Sequence, residues 1–183
     1  MGEAGILQPK LYPKQIDFYN EVVGNRRARK FILAGGAQSG KTRAVSWVAV
    51  GKIGEKMQRT TKGEEPGMAW LVAPTYKLLG KLKREFLAKL PVEWIAKRVE
   101  EEILLITGDM VQFRTAKNPQ DLRGEDCFLV VFDELSRAAE QAFLNSQTRL
   151  AVHDGLFLGS TTPCDAESPW LTDEYFSHLE DKE

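Results

Sequence analysis

The chain has 183 residues, 43% of them hydrophobic and 28% charged, with a net charge of −1. That length suits one domain with a sizeable core, and the composition excludes a disordered, collagen-like or coiled-coil chain. The longest apolar runs, such as Phe128 to Phe132, fall far short of the roughly 20 residues of a spanning helix, so no membrane association is expected. Met1 to Lys10 has no basic start followed by an apolar stretch, and therefore no visible signal peptide. Cys127 and Cys164 make neither a disulfide framework nor a metal quartet. Both read as buried or incidental thiols of a reducing cytosol.

The near-zero net charge taken alone argues against a nucleic-acid partner. Its distribution is uneven. Residues 1–60 carry 11 basic and 4 acidic groups (+7), residues 61–120 carry 10 and 8 (+2), and residues 121–183 carry 4 and 14 (−10). The gradient reads either as two solvated faces or as complementary surfaces of neighbouring subunits.

In chain order, residues 1–10 read as a flexible arm. Pro13 opens a helix to about Val23, with Ile16, Tyr19 and Val23 on one stripe. Lys30 to Ala34 is a short apolar strand ending in Gly35-Gly36. A helix follows from Lys41 to about Gly54, and the polar residues 56–67 read as a surface loop. Met68 to Val72 is a second strand. Leu79, Leu82, Phe86 and Leu90 fall at helical spacing before Pro91. Glu101 to Ile106 and Met110 to Arg114 flank Gly108-Asp109 as a hairpin. Asn118 to Asp126 is a polar loop. Phe128 to Phe132 is apolar throughout, as a parallel strand buried on both faces would be. Ala138 to Leu150 reads as helix, Leu156 to Gly159 as strand, and Trp170 to Leu179 as a last helix or a frayed tail. Alternating strands and helices predict an α/β fold with a mostly parallel central sheet, whose ligand lies beyond the carboxyl ends of the strands.

Gly35-Gly36-Ala37-Gln38-Ser39-Gly40-Lys41-Thr42 matches the phosphate-binding pattern GxxxxGK[ST], with a strand before it and a helix after. The glycines permit turns closed to other residues. The loop amides and the helix N-terminus then face phosphate oxygens. Lys41 would reach the β- and γ-phosphates of ATP, and the Thr42 hydroxyl would be a Mg²⁺ ligand. About 90 residues later, the apolar run ending in Asp133-Glu134 matches the acidic strand end of such enzymes. Asp133 would hold Mg²⁺, and Glu134 would polarise a water for in-line attack on the γ-phosphate. The strand at 68–72, lying in sequence between these two motifs, points to the P-loop NTPase class with an additional strand and a catalytic Glu. No guanine-selecting segment is present. Tyr12 and Gln15 could stack on adenine and bond its edge; otherwise they are a helix start with Tyr12 in the core. Ser160, Thr161 and Thr162, in Gly159 to Pro163, would face the γ-phosphate or the attacking water, or else form an ordinary strand-to-loop turn.

From about Leu11 to Pro163 this motif order resembles the ATPase domain of a tailed-phage terminase large subunit, the viral DNA-packaging motor. The resemblance rests on YPKQ (Tyr12–Gln15), GGAQSGKT (Gly35–Thr42), LVAPTYK (Leu71–Lys77), LRG (Leu122–Gly124), VVFDELSR (Val130–Arg137) and GSTTP (Gly159–Pro163). It implies an ATP hydrolase that drives double-stranded DNA into a procapsid. It implies a homo-oligomeric ring there, a monomer in isolation, and a portal protein and a small terminase subunit as partners. It also implies a phage or prophage protein of the host bacterial cytoplasm. Arg137 matches an arginine finger supplied to a neighbour's ATP; otherwise it is a salt bridge at a helix start. Arg149 is a second candidate, and Arg123 receives no role. Ser160, Thr161 and Thr162 match the motif that couples hydrolysis to movement. Two departures stand out. Ala37 and Gln38 occupy the part of the loop where many terminases carry Arg, and residues 164–183 read as an extension or partial lid with no nuclease domain in the chain. The alternatives are another P-loop ATPase, such as a helicase or recombinase core, and a nucleotide-binding scaffold that does not hydrolyse.

Overall fold

The computed structural model describes residues 11–25, 27–163 and 168–175. The proposed arm at 1–10, Cys164, and most of the extension at 164–183 lie outside them. Along the chain run α1 (Pro13–Gly24), β1 (Lys30–Ala34), α2 (Lys41–Thr60), β2 (Met68–Ala73), α3 (Tyr76–Leu87), β3 (Ile95–Arg98), β4 (Glu102–Leu105) and β5 (Met110–Thr115). Then follow β6 (Leu129–Phe132), α4 (Glu140–Thr148), β7 (Leu156–Thr161) and α5 (Pro169–Tyr175). The seven strands form one sheet in the order β1-β7-β6-β2-β5-β4-β3. The first five in that order are parallel to one another, β4 is antiparallel to β5, and β3 is antiparallel to β4. The expected mostly parallel α/β sheet is therefore present.

Strand alternation divides the core in two. Ala69, Leu71, Leu129, Val131 and Leu158 face one side, where they pack against Val48, Ile53, Leu82 and Phe86 of α2 and α3. Trp70, Val72, Val130, Phe132 and Phe157 face the other, against Leu135, Phe143 of α4 and Leu171 of α5. The Phe143 ring meets Phe157 edge-on at 5.2 Å. Burying each such side chain contributes about 1.5–3 kcal/mol before the entropy of ordering it. Since β2 and β6 are covered on both faces, they are the strands with unbroken apolar sequence. Strand β1 is at the sheet edge, and its Phe31, Ile32 and Leu33 are half-buried. No helix among the described residues is long and apolar enough to cross a membrane.

Some boundaries differ from the sequence reading. Helix α2 runs on to Thr60 instead of stopping near Gly54, so 56–60 is not loop. Gly54 is a close-approach position: a Cβ there would lie 2.8 Å from the Trp94 ring. Beyond it, Lys56 is buried and donates to Glu64 at 2.5 Å, and Thr60 Oγ1 donates to Asp109 at 3.1 Å. Strand β3 has no counterpart in the sequence reading, because Ile95–Arg98 has no apolar alternation. It forms by pairing with β4. The hairpin of β4 and β5 matches expectation. Strand β7 continues through Thr161, and the helix expected from Ala138 begins at Glu140 after a 3-10 turn at Leu135–Arg137. Of the two readings for the chain beyond Trp170, helix α5 supports a helix through Tyr175.

Cys127 is buried as expected, and burial pushes its thiol up to about 12. A folded-state value raised this far leaves almost no thiolate at pH 8. Native protein at pH 8 is therefore expected to resist iodoacetamide at Cys127, whereas denaturant-unfolded protein reacts within minutes. Mass spectrometry of the labelled peptide checks this, and fast native labelling would contradict it.

Candidate nucleotide-binding site

The loop at 35–40 springs from the carboxyl end of β1 and is tied to β7 by Gly35 N–H donating to Thr161 O at 3.2 Å. It ends at Gly40, the residue that caps α2, whose φ of +78° lies in the left-handed region. A Cβ there would sit 2.3 Å from Gln15 Nε2. Glycine at this position thus answers both to backbone conformation and to a close approach. Gln38 also has a positive φ, +61°.

Lys41 is buried, and its ammonium donates to Gly35 O (2.9 Å), Gly36 O (2.8 Å) and Thr162 Oγ1 (3.0 Å). Those bonds use all the donors a lysine has. Thr42 Oγ1 donates to Asp133 Oδ2 at 2.9 Å across 91 residues of sequence. Asp133 is buried, and its backbone N–H donates to Val72 O at 2.9 Å, so it continues the β6–β2 ladder. Ser160 Oγ donates to the other carboxylate oxygen. Two hydroxyls therefore hold Asp133 at the strand tip, and nothing in the residue spacing signals the second.

Glu134 follows with φ +54°, a left-handed conformation that is strained for a residue with a side chain. It is half-buried and lines the cavity beside the loop. The 3-10 turn after it is fastened to the end of β7. Ser136 N–H donates to Thr161 Oγ1 (3.1 Å), Ser136 Oγ donates to Thr162 O (3.0 Å), and Ser168 Oγ donates to Ser136 O. Arg137 closes this turn and is exposed. The three hydroxyls at 160–162 do not share one direction, because successive strand residues alternate. Ser160 faces Asp133, Thr161 faces the 3-10 turn, and Thr162 faces Lys41.

At the amino end, Tyr12 is 68% exposed and so is not a core residue. Gln15 is buried. Its Oε1 accepts from Tyr12 N–H (3.1 Å), and its Nε2 donates to Ser39 O (3.0 Å) and Gly40 O (3.2 Å). The amide expected at an adenine edge thus braces α1 against the loop. Arg149 donates to Gly124 O at 2.7 Å and so ties down the loop that carries exposed Arg123.

The cavity holds about 300 Å³ and is lined by residues 38–43, Glu134, and Lys81 and Glu85 of α3. The Lys89 ammonium at 2.8 Å holds the Glu85 carboxyl below its usual range against the opposing effect of burial, with Lys89, Arg43 and Lys81 adding their charge. Arg43, just past the loop in α2, was given no role in the sequence reading, and Lys81 and Glu85 escaped it because nothing in their spacing links α3 to the loop. Another cavity of about 290 Å³, beside Tyr76, Glu101 and Arg114, has none of the loop residues in its lining. Among the described residues no group of three or more His, Cys, Asp and Glu side chains could hold a metal ion. The Thr42–Asp133 pair is a different donor set: a hydroxyl and a carboxylate, both hard oxygen ligands, in contact at a buried strand tip.

No protein-family model matches the chain, and no curated protein matches it in sequence. Solved structures do match it in fold. The large terminase ATPase domain of Thermus phage P74-26 superposes with a TM-score of 0.65 at 20% identity, over 85% of this chain and 66% of that one. The large terminase of a thermophilic bacteriophage in complex with ADP gives 0.65 at 18%, over 93% and 43%. The HK97 bacteriophage large terminase gives 0.68 at 15%, over 94% and 38%. The chain thus spans less than two thirds of each of these proteins. Its described residues have the α/β fold shared by the ATPase domains of phage large terminases.

Proposed function

We propose that the chain is an ATP-hydrolysing domain of a viral DNA-packaging motor, belonging to the terminase large-subunit family. One observation carries this reading. Lys41, Thr42 and Glu134, from two distant parts of the sequence, line one cavity at the carboxyl end of the parallel strands, and Thr42 is bonded there to buried Asp133. ADP bound to the thermophilic-phage large terminase supports a nucleotide as the ligand.

In this reading the amides of residues 35–41 and the Lys41 ammonium hold the β- and γ-phosphates. Lys41 exchanges at least one present acceptor for a phosphate oxygen, and Thr162 Oγ1 is the acceptor outside the loop. Thr42 and Asp133 hold Mg²⁺, which when bound neutralises charge on the phosphate oxygens. Glu134 orients the attacking water and accepts its proton. Tyr12, exposed beside the Gln15 brace, offers its ring to adenine. Arg137 reaches a neighbouring subunit's ATP, where such a group contributes about 10³–10⁵ in rate. The 3-10 turn that carries Arg137 is bonded to Thr161 and Thr162, and Thr162 to Lys41. That chain of contacts supports residues 160–162 as the coupling segment.

The motor would act on the phosphates of double-stranded DNA without regard to sequence. It would do so as a ring on the procapsid with a portal protein and a small terminase subunit, in the host cytoplasm. The +7 and −10 ends of the sequence suit contacts between successive subunits.

The test is a complementation. Lys41→Ala protein is expected to lose ATP binding and hydrolysis, and Arg137→Ala protein to bind ATP without turning it over. Mixed under assembly conditions, the two are expected to recover part of the wild-type rate, because an Arg137→Ala site whose neighbour is a Lys41→Ala subunit receives a finger from it. ATP binding retained in Lys41→Ala would remove the nucleotide assignment, and a silent mixture would make Arg137 structural.

A further inference from the structure

The loop at 35–42 contains one cation, Lys41, although the tail of ATP carries several negative charges. Arg43 at the start of α2 lines the same cavity, and the structure brings a further cation to it from elsewhere in the sequence. Lys81 of α3 lines the cavity together with residues 38–43 and Glu134. We propose that Lys81 is a γ-phosphate-recognising residue, supplied within the same subunit, that lets the site distinguish ATP from ADP. The inference rests on the ATPase reading above and extends it.

The position of Lys81 is fixed by the fold. Helix α3 starts directly beyond the carboxyl end of β2, the strand next to β6, and Thr75 Oγ1 caps it by accepting from Leu78 N–H. Leu79, Leu82 and Phe86 are buried against α2 and the sheet, so the helix cannot rotate. That leaves Lys81 on the outward stripe with Lys77 and Arg84. Lys81 is exposed and makes no hydrogen bond or ion pair among the described residues, so its ammonium is available to an anion entering the cavity.

Glu85, one turn further along α3, lines the same cavity and is paired with Lys89 at 2.8 Å. Its charge offsets the cations around the cavity, and Lys81 acts on it through charge alone, without a hydrogen bond. In the ATPase reading the β-phosphate would lie against the loop amides. A γ-phosphate would stand nearer Thr42 and Glu134, within reach of a flexible four-carbon lysine.

The experiment measures the affinity of the whole chain for ATP-γ-S and for ADP, both with Mg²⁺, by calorimetry. Lys81→Ala is expected to weaken ATP-γ-S binding about tenfold and ADP binding less than about twofold, since a charge-assisted bond is lost only where the third phosphate exists. Lys81→Arg should restore most of the difference. Lys77→Ala, one turn earlier on the same exposed stripe, should change neither. Equal losses for both nucleotides, or none, would overturn the proposal. Unchanged nucleotide affinities with weakened retention of duplex DNA would also overturn it and give Lys81 to DNA phosphates. If wild-type protein binds neither nucleotide, or Lys41→Ala binds both normally, the ATPase reading itself fails and the proposal with it.

Discussion

Glu134→Gln protein is expected to bind ATP within about twofold of wild type and to hydrolyse it about 10²–10⁴-fold more slowly. The amide keeps the size and hydrogen-bonding reach of the carboxylate but cannot accept a proton from the attacking water. The change should be specific to turnover, because Glu134 takes no part in the contacts that hold the loop. Those run among Lys41, Thr42, Asp133 and Ser160. The left-handed backbone at 134 sharpens the expectation. Strain of order 1–3 kcal/mol persists only where surrounding structure enforces it, and it turns this side chain from the strand end to the cavity. A single-turnover assay with radiolabelled ATP, beside a binding titration, measures both quantities. Near-wild-type turnover would remove Glu134 from the chemistry. Glu85, the other carboxylate of the cavity, would then be the residue to test.

The second large effect is expected at Gly40, and it concerns stability as well as binding. Alanine at φ +78° costs about 1–2 kcal/mol in backbone energy. Its Cβ would also stand 2.3 Å from Gln15 Nε2. Relief of that contact moves the Gln15 amide off Ser39 O and Gly40 O, at about 1 kcal/mol for each bond. Gly40→Ala is therefore expected to lower unfolding stability by about 2–4 kcal/mol, seen as a shift of the urea midpoint, and to weaken ATP binding by distorting the loop. Gln15→Ala removes the obstructing amide. The double variant should accordingly be less damaged than the sum of the single ones, with the backbone cost remaining. Strict additivity would mean that the two residues do not meet.

Both predictions concern residues whose types are plain in the sequence and whose partners are not. The GxxxxGKT spacing and the apolar run into Asp133-Glu134 are local signals. Each needs one strand end and the turn after it, and Phe128–Phe132 reads as a central strand because both its faces are buried. Local signals also place β1, β2 and the β4–β5 hairpin. They fail where long-range contact overrides local preference. Gly54 looks like a helix end, but in α2 it is the space into which Trp94 packs. Residues 95–98 lack strand alternation, yet β4 offers an open edge for them to pair with. Tyr12 taken alone reads more readily as core than as site, and only the fold exposes it.

What the residues alone establish is the class of site: a glycine-bearing loop between strand and helix, with one lysine, one hydroxyl and a pair of carboxylates at a second strand end. These follow from steric and charge requirements that act within a few residues. What surrounds them is settled by the folded chain. It set Thr42 on Asp133, turned Ser160, Thr161 and Thr162 toward three different partners, gave the Gln15 amide to the loop, and carried Lys81 and Glu85 of α3 to the cavity. The order in which strands assemble into a sheet fixes which strand ends become neighbours. That order depends on burial summed over the whole core, which no short stretch of sequence contains.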